Sequence, residues 1–248
     1  MILVEDTYEL YCVDYYIQYF LIKYNYENYS IITENYTHLT PAQALELLKE
    51  GNKRFITDNF VVVNSSTTRV HQLANGQTPF AAVFGCSDSR NTPSVIFNRG
   101  VGDIFETRTA GEILYNNIIK GTDISKQTIE SIEFSIQVLK CPLIVILGHT
   151  QCGAIQATYD YFKNSKNPVP ATSDITYNTI YNSLYNAYSK LDKNTSTPCD
   201  DMAIFQTEDV SQYLFDHSQI IKNAVNEGKT MIVQAIYDVE TGKVTFSK

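Results

Sequence analysis

Short apolar runs alternate with amphipathic stretches along this chain, and that alternation predicts an α/β fold. Residues 79–86 are mostly apolar without alternation, as in a short buried strand, residues 143–148 give the strongest strand signal, and residues 231–237 are a third predicted strand. Residues 104–107 form a fourth candidate strand, and apolar positions at helical spacing between 125 and 139 predict a helix. Strand, helix and strand in this order indicate a parallel crossover.

Local signals mark the ends of further elements. Residues 40–43 have the sequence of a capping box with proline in the first turn, so a helix should begin there, and Gly51 is expected to end or kink it. Another helix is predicted from about 210 to 225. The turn at 240–242 leads into a C-terminal edge hairpin at 243–246.

Two polar stretches interrupt this pattern. Residues 61–78 are predicted to be a loop. Residues 163–200 are rich in Asn, Ser, Thr and Pro, and they are predicted to leave the main sheet without forming a second domain. One helix is predicted within them, with a shared face formed by Tyr177, Ile180, Tyr181, Leu184 and Tyr188.

The first 38 residues form a tyrosine-rich extension, since nine of the 18 tyrosines lie before residue 37. The extension is predicted to be helical and to pack on the body or on a partner subunit; a membrane-surface anchor is the weaker alternative, because few basic residues surround it. Glu5 and Asp6 precede any lysine, unlike a secretory or mitochondrial leader, so a cytoplasmic location is expected. The predicted helix face contains Tyr8, Tyr11, Tyr15, Tyr19 and Ile22.

Composition narrows the class of protein. The 248 residues, 44% of them hydrophobic, suit a globular chain, and no apolar stretch approaches the roughly 20 residues of a membrane span. A net charge of -8 argues against nucleic acid as a partner. Five cysteines are too few for a disulfide scaffold, which favours a reducing compartment and functional thiols.

Polar residues with metal-binding chemistry follow two of the predicted strands. Cys86 ends the first strand, and His149 and Cys152 follow the second. Carboxyl ends of parallel strands meet at one edge of a sheet, so these side chains could face one crevice. Two thiolates and an imidazole suit Zn²⁺ and leave one position open, as in catalytic sites. Cys141 precedes its strand and should lie at the opposite edge. Lone buried thiols or a disulfide are the alternatives.

A charged pair accompanies this set. Asp88 lies two residues after Cys86, and Arg90 could compensate its charge with a two-pronged hydrogen bond. An ionised carboxylate accepts hydrogen bonds but cannot donate them, so Asp88 would select a group that carries a proton. An ordinary loop salt bridge is the alternative.

Together these motifs resemble the β-class carbonic anhydrases. The resemblance depends on C-S-D-S-R at 86–90 and G-H-T-Q-C-G-A at 148–154, and it covers about residues 39–246. Weaker similarity is found at 39–55, 100–111, 131–135 and 237–244.

The resemblance implies a role for each matching residue. One Zn²⁺ per chain would be bound by Cys86, His149 and Cys152. Asp88 and Arg90 would be the catalytic dyad, and Gly153 the small residue of the substrate pocket beside the metal.

The same resemblance implies the architecture and the reaction. A single α/β domain at 39–248, with a mainly parallel central β-sheet flanked by helices and a C-terminal edge hairpin, would follow the N-terminal helical extension at 1–38. Homodimers or dimers of dimers are expected. The implied reaction is reversible hydration of carbon dioxide to bicarbonate and a proton by zinc-bound hydroxide. Alternatives are hydrolysis of carbon disulfide or carbonyl sulfide, or a non-catalytic zinc protein.

Three features depart from the family pattern. The stretch Asn91-Thr92-Pro93-Ser94 replaces the usual V-P-P-E, and Glu112 stands where A-G-N is common. The chain has no tryptophan, so the bicarbonate regulatory pocket of some members cannot be present in its usual form.

Overall fold

The computed structural model describes residues 31–32, 36, 38–114, 124–164 and 178–247. A pair of two-residue parallel strands, β1 (Ile31–Ile32) and β2 (Val62–Val63), lies apart from the main sheet. The strands of the main sheet are β3 (Ala81–Cys86), β4 (Ile104–Thr109), β5 (Leu143–His149), β6 (Met231–Tyr237) and β7 (Val244–Phe246). The helices are α1 (Pro41–Ile56), α2 (Thr67–Gln72), α3 (Pro93–Ile96), α4 (Ile124–Gln137), α5 (Gly153–Asn164), α6 (Asn178–Ser189), α7 (Pro198–His217) and α8 (Gln219–Asn226).

The main sheet has the strand order β4-β3-β5-β6-β7. Its first four strands are parallel, and β7 pairs antiparallel with β6 as the predicted edge hairpin. Helix α4 lies between β4 and β5 in the chain, which confirms the predicted crossover. The mainly parallel α/β sheet is therefore confirmed.

Helices cover both faces of this sheet. On one face, Leu48 of α1 belongs to the same buried cluster as Val145 of β5. On the other face, Ile132 of α4 and Leu214 of α7 are buried with Ile144. This double burial explains why β3 and β5 are continuously apolar rather than alternating.

Helix α1 begins as predicted but ends later. Thr40 Oγ1 accepts a hydrogen bond from the Gln43 amide at 3.3 Å, and Gln43 Oε1 accepts one from the Thr40 amide at 2.9 Å, which completes the capping box. The expected end of the helix at Gly51 is wrong, because the helix continues to Ile56. Gly51 instead permits close packing, since a Cβ there would lie 1.8 Å from the carbonyl oxygen of Phe97.

Two other boundaries differ from the sequence prediction. The helix predicted at 210–225 is two helices, α7 and α8, separated at Ser218, whose hydroxyl accepts a hydrogen bond from the Ile221 amide as an N-cap. The face of α7 that is buried includes polar residues such as Gln206 and Ser211, so its apolar periodicity is weak. The predicted loop at 61–78 contains β2 and α2.

Helix α6 confirms the predicted helix within the 163–200 stretch. The tyrosine face predicted in the N-terminal extension, and Tyr177, lie outside the described residues. None of the described helices has the length and apolar character that crossing a membrane requires.

Candidate metal centre

The carboxyl ends of β3 and β5 bring the three predicted metal ligands together. Cys86 is the last residue of β3, His149 is the last residue of β5, and these strands are neighbours in the sheet. Cys152 follows a short turn after β5. The ligand atoms of the three side chains all lie within 4.8 Å of one another, and the three residues are buried. The pairing of β3 with β5 therefore brings together Cys86 and His149, which are 63 positions apart in the sequence.

His149 presents one ring nitrogen to this cluster. Its Nδ1 lies 2.8 Å from the carbonyl oxygen of Thr150, and a carbonyl can only accept, so Nδ1 carries the proton. The lone pair is then on Nε2, which is buried and makes no hydrogen bond with the described residues. A buried acceptor without a partner is costly unless a ligand satisfies it, and a metal ion would do so.

The thiols of Cys86 and Cys152 contact each other. Their sulfurs are 4.0 Å apart, and the hydrogen bond from Cys152 lowers the pKa of Cys86 to about 4, with further help from the Gly111 and Asp88 amides. The same interaction raises the pKa of Cys152, and burial adds to that shift. One thiolate is thus already stabilised without a metal. Two sulfurs and one imidazole nitrogen in a buried cluster fit the donor set that Zn²⁺ prefers.

Cys141 does not belong to this cluster. It lies before β5, at the opposite edge of the sheet as predicted, and its thiol donates to the carbonyl oxygen of Pro79. Burial raises the pKa of Cys141 to about 12, which is the behaviour of a structural thiol.

Asp88 and Arg90 form a two-pronged ion pair beside the cluster. Arg90 donates from Nε to Asp88 Oδ1 at 3.0 Å and from Nη2 to Oδ2 at 2.7 Å. This hydrogen bonding holds the pKa of Asp88 down to about 2. Asp88 Oδ2 lies 4.0 Å from His149 Nε2, and Arg90 also donates to the carbonyl oxygen of Gln151 at 3.1 Å. The carboxylate is therefore ionised and faces the cluster from a fixed position.

Gly153 lies at the start of α5, directly after Cys152. A Cβ placed there would meet nothing within 4 Å, so the space next to Cys152 is open. The structure places all six predicted site residues at one edge of the sheet, and their individual roles remain predictions.

Sequence reasoning missed one residue of this site, Arg108. Its guanidinium donates to the carbonyl oxygens of Cys86 and Asp88. The available signal was the position of Arg108 within residues 100–111, which are weakly similar to the family. The resemblance gave this residue no role.

Glu112 is buried beside the metal cluster. Glu112 is fully inaccessible to solvent, and neither of its carboxylate oxygens has a hydrogen bond with the described residues. Its backbone φ is 50°. Burial raises the pKa of Glu112 well above its usual value, and the neighbouring Cys86 adds to this effect. Burial therefore favours the neutral form of this carboxyl group.

We expect Glu112→Gln to stabilise the protein, and increasingly so as the pH rises. In the native wild type the raised pKa keeps the carboxyl protonated to higher pH, whereas in the unfolded chain it ionises above pH about 4.3. The wild type therefore loses up to about 1.4 kcal/mol of unfolding free energy per pH unit above that value, until the native group itself ionises. Urea unfolding of both proteins at pH 5, 6 and 7 measures this gap, and a gap that does not widen contradicts the prediction.

Asn91 is a second residue with a buried polar side chain that makes no hydrogen bond with the described residues. It is fully inaccessible, and both atoms of its amide lack hydrogen bonds with the described residues. Each buried group left in this state costs about 1–3 kcal/mol. Asn91→Val, a change of similar volume, is expected to raise the unfolding free energy by at least about 1 kcal/mol. An unchanged or lower urea midpoint would argue against this account of Asn91.

The fold and the cluster define an α/β protein with two cysteines and a histidine that could hold a metal ion at the carboxyl edge of a parallel sheet. The profile of the carbonic anhydrase family matches residues 81–244. The chain is 31% identical over 204 residues to a carbonic anhydrase of Mycolicibacterium smegmatis, covering 82% of this chain and 92% of that one. It is 30% identical over 203 residues to carbonic anhydrase 2 of Mycobacterium tuberculosis, covering 82% and 91%.

Solved structures show the same fold. Similarity to a Coccomyxa β-carbonic anhydrase, solved with acetazolamide, has a TM-score of 0.59 at 22% identity and covers 84% of this chain and 86% of that one. Two tetrameric β-carbonic anhydrases of Sordaria macrospora were solved together, and similarity to one chain of them has a TM-score of 0.57 at 22% identity, with coverage of 83% and 94%. This chain belongs to the carbonic anhydrase family, with the fold of its β class.

Proposed function

We propose that the protein binds one zinc ion per chain and interconverts carbon dioxide with bicarbonate and a proton. The observation that carries this proposal is the buried triad of Cys86, His149 and Cys152, with the Asp88–Arg90 pair 4.0 Å from His149. A zinc site kept only for stability would need no ionised carboxylate oriented toward it.

Zinc, when bound, supplies Lewis-acid chemistry that makes water a nucleophile near neutral pH. The chain's own residues would orient the reactants. Ionised Asp88 can only accept, so it favours a protonated oxygen at this position, and Arg90 fixes the carboxylate in one direction. Apolar side chains such as Ile113 and Leu184 share a buried cluster with the two cysteines and exclude water from that side. The open space at Gly153 would admit a small linear molecule.

The proposal extends to organisation and location. Residues 39–248 would be the catalytic domain and residues 1–38 an extension that packs on the body or on a partner. We propose a homodimer or a dimer of dimers, supported by the tetrameric β-carbonic anhydrases of Sordaria macrospora. A cytoplasmic location would keep Cys86 and Cys152 reduced, as metal binding requires. Sedimentation velocity measures the assembly.

Metal removal and restoration test the reaction. Purified protein should contain about one zinc per chain, hydrate carbon dioxide in stopped flow, lose the activity on chelation and regain it when zinc is restored. Stoichiometric zinc without turnover would leave a non-catalytic zinc protein. Turnover of carbon disulfide or carbonyl sulfide without carbon dioxide would assign the other hydrolase activity to the same site.

The rate should rise toward alkaline pH. Two thiolates give more charge to a metal than neutral imidazoles do, so the activated water should be less acidic than in a three-histidine site. Asp88 has a pKa of about 2, so its own protonation adds no acid limb above pH 5. A profile of kcat/KM against pH that is already flat from pH 6 to 9 would contradict this prediction.

A further inference from the structure

Arg108 contacts both parts of the proposed active site through their main chain. It lies on the edge strand β4, opposite Gly85 of β3 in the strand register. Its Nε donates to the carbonyl oxygen of Cys86 at 3.0 Å, and its Nη2 donates to the carbonyl oxygen of Asp88 at 2.7 Å. One side chain therefore holds the peptide groups of a proposed metal ligand and of the proposed dyad carboxylate.

These two carbonyls lie where the regular sheet ends. Beyond Cys86 the chain turns, so strand pairing no longer fixes the position of Asp88. The donors of a guanidinium lie in one rigid plane, so two hydrogen bonds from it fix the spacing and the orientation of the two carbonyls together. The same turn directs the Asp88 amide toward Cys86 Sγ at 3.4 Å.

Strand β4 and the segment directly after it add further contacts to this turn. The Ser87 amide donates to the carbonyl oxygen of Thr109 at 3.0 Å, and the Gly111 amide donates to Cys86 Sγ at 3.2 Å. Arg108 differs from these contacts because it reaches Asp88, and so it connects the edge strand to the dyad. A shift of Asp88 would also displace its bonds with Arg90.

We propose that Arg108 is a positioning residue that fixes Asp88 relative to the metal ligands through the two main-chain carbonyls. The proposal rests on the function assigned above. Both of these bonds from Arg108 go to main-chain carbonyl oxygens, and neither goes to an atom of the proposed ligand set. A lysine at this position would keep the charge but would lack the planar fork that holds both carbonyls.

The test compares Arg108→Ala and Arg108→Lys with Arg54→Ala in the zinc-loaded enzyme. Arg54 is a matched control, because it also donates from Nε and Nη2, at 2.7 and 3.4 Å, but both bonds go to Asn98 on α1's side of the fold. We expect kcat to fall on the order of 100-fold in Arg108→Ala, with zinc content unchanged, and by less in Arg108→Lys. Arg54→Ala should lower the melting temperature without this loss of kcat.

Two readouts separate positioning from general stability. Added guanidinium ion should restore part of the activity of Arg108→Ala, and should not raise that of the wild type or of Arg54→Ala. The absorption spectrum of the cobalt-substituted protein should shift in Arg108→Ala, because the Cys86 sulfur environment changes, and should be unchanged in Arg54→Ala.

Failure of this inference and failure of the proposed function give different results. An active wild type with equal losses of kcat in Arg108→Ala and Arg54→Ala, or with no rescue and no spectral shift, would overturn the role of Arg108. A wild type that binds zinc but does not hydrate carbon dioxide would overturn the function. In that case the cobalt spectrum alone decides whether Arg108 positions the site, and an identical spectrum rejects it. If Arg108→Ala does not fold, Arg108→Lys is judged by the same two readouts.

Discussion

Replacing Cys86 with serine is expected to remove both zinc and carbon dioxide hydration from the protein. The thiol at this position is the one that the structure prepares for a metal, since its pKa is lowered to about 4 and two backbone amides point at its sulfur. A serine hydroxyl ionises far less readily and is a poorer ligand for zinc. Loss of a direct ligand should weaken zinc binding by more than the 10–100-fold typical of an outer-shell change.

Cys199→Ser is the matched control for this substitution. Cys199 is half-buried, and its thiol donates to Gln156 Oε1 at 3.2 Å, a bond that a hydroxyl can also make. This variant should retain zinc and turnover. Zinc is measured by elemental analysis after dialysis, and activity by stopped flow. Full zinc and wild-type turnover in Cys86→Ser would mean that the cluster is not the metal site.

Asp88→Asn should lower kcat/KM by about 10²–10³-fold while zinc is retained. The amide has the same shape, but one of its two acceptors becomes a donor, so the two-pronged bond with Arg90 is broken and the preference for a protonated oxygen is lost. Because the pKa of Asp88 is only about 2, the wild-type carboxylate is ionised at every pH of the assay. The loss should therefore be similar from pH 6 to 9.

Asp209→Asn provides the comparison for Asp88→Asn. Asp209 pairs with Lys190 and accepts from Asn186 Nδ2 at 2.7 Å, away from the metal cluster. This change should leave kcat/KM intact.

Arg90→Gln tests the Asp88–Arg90 pair from its other side. Without Arg90, the pKa of Asp88 should rise toward its usual value near 4, so Asp88 is still ionised at pH 7. Any loss of activity then reflects a change in the orientation of Asp88 and not in its charge. Normal activity in Asp88→Asn would exclude the proposed role of the dyad.

The same low pKa has a consequence for stability, and its sign follows from linkage. A carboxylate that ionises more readily when folded stabilises the native state above its unfolded pKa near 3.9. That contribution is lost as the pH falls through about 2. Glu112 acts in the opposite direction, because its raised pKa costs stability as the pH rises.

The sequence by itself determined the sheet and the three members of the cluster. Buried strands are continuously apolar and end at Cys86 and His149, and the parallel crossover places those ends at one edge, so local patterns were sufficient to predict the cluster. The pairing of Asp88 with Arg90 was also predictable, because a spacing of two residues in a turn brings the side chains within reach.

Only the tertiary structure decided the features that depend on contacts between distant segments. Helix α1 continues through Gly51 because a glycine leaves room for the Phe97 carbonyl oxygen, which lies in a distant segment. The extent of α7 is hard to predict because its buried face includes polar side chains. Arg108 could not be assigned from its own strand, because its partners are carbonyl oxygens, which every residue possesses. Main-chain acceptors leave no signature in a sequence, so the bonds from Arg108 to the Cys86 and Asp88 carbonyls become visible only when β3 and β4 lie side by side.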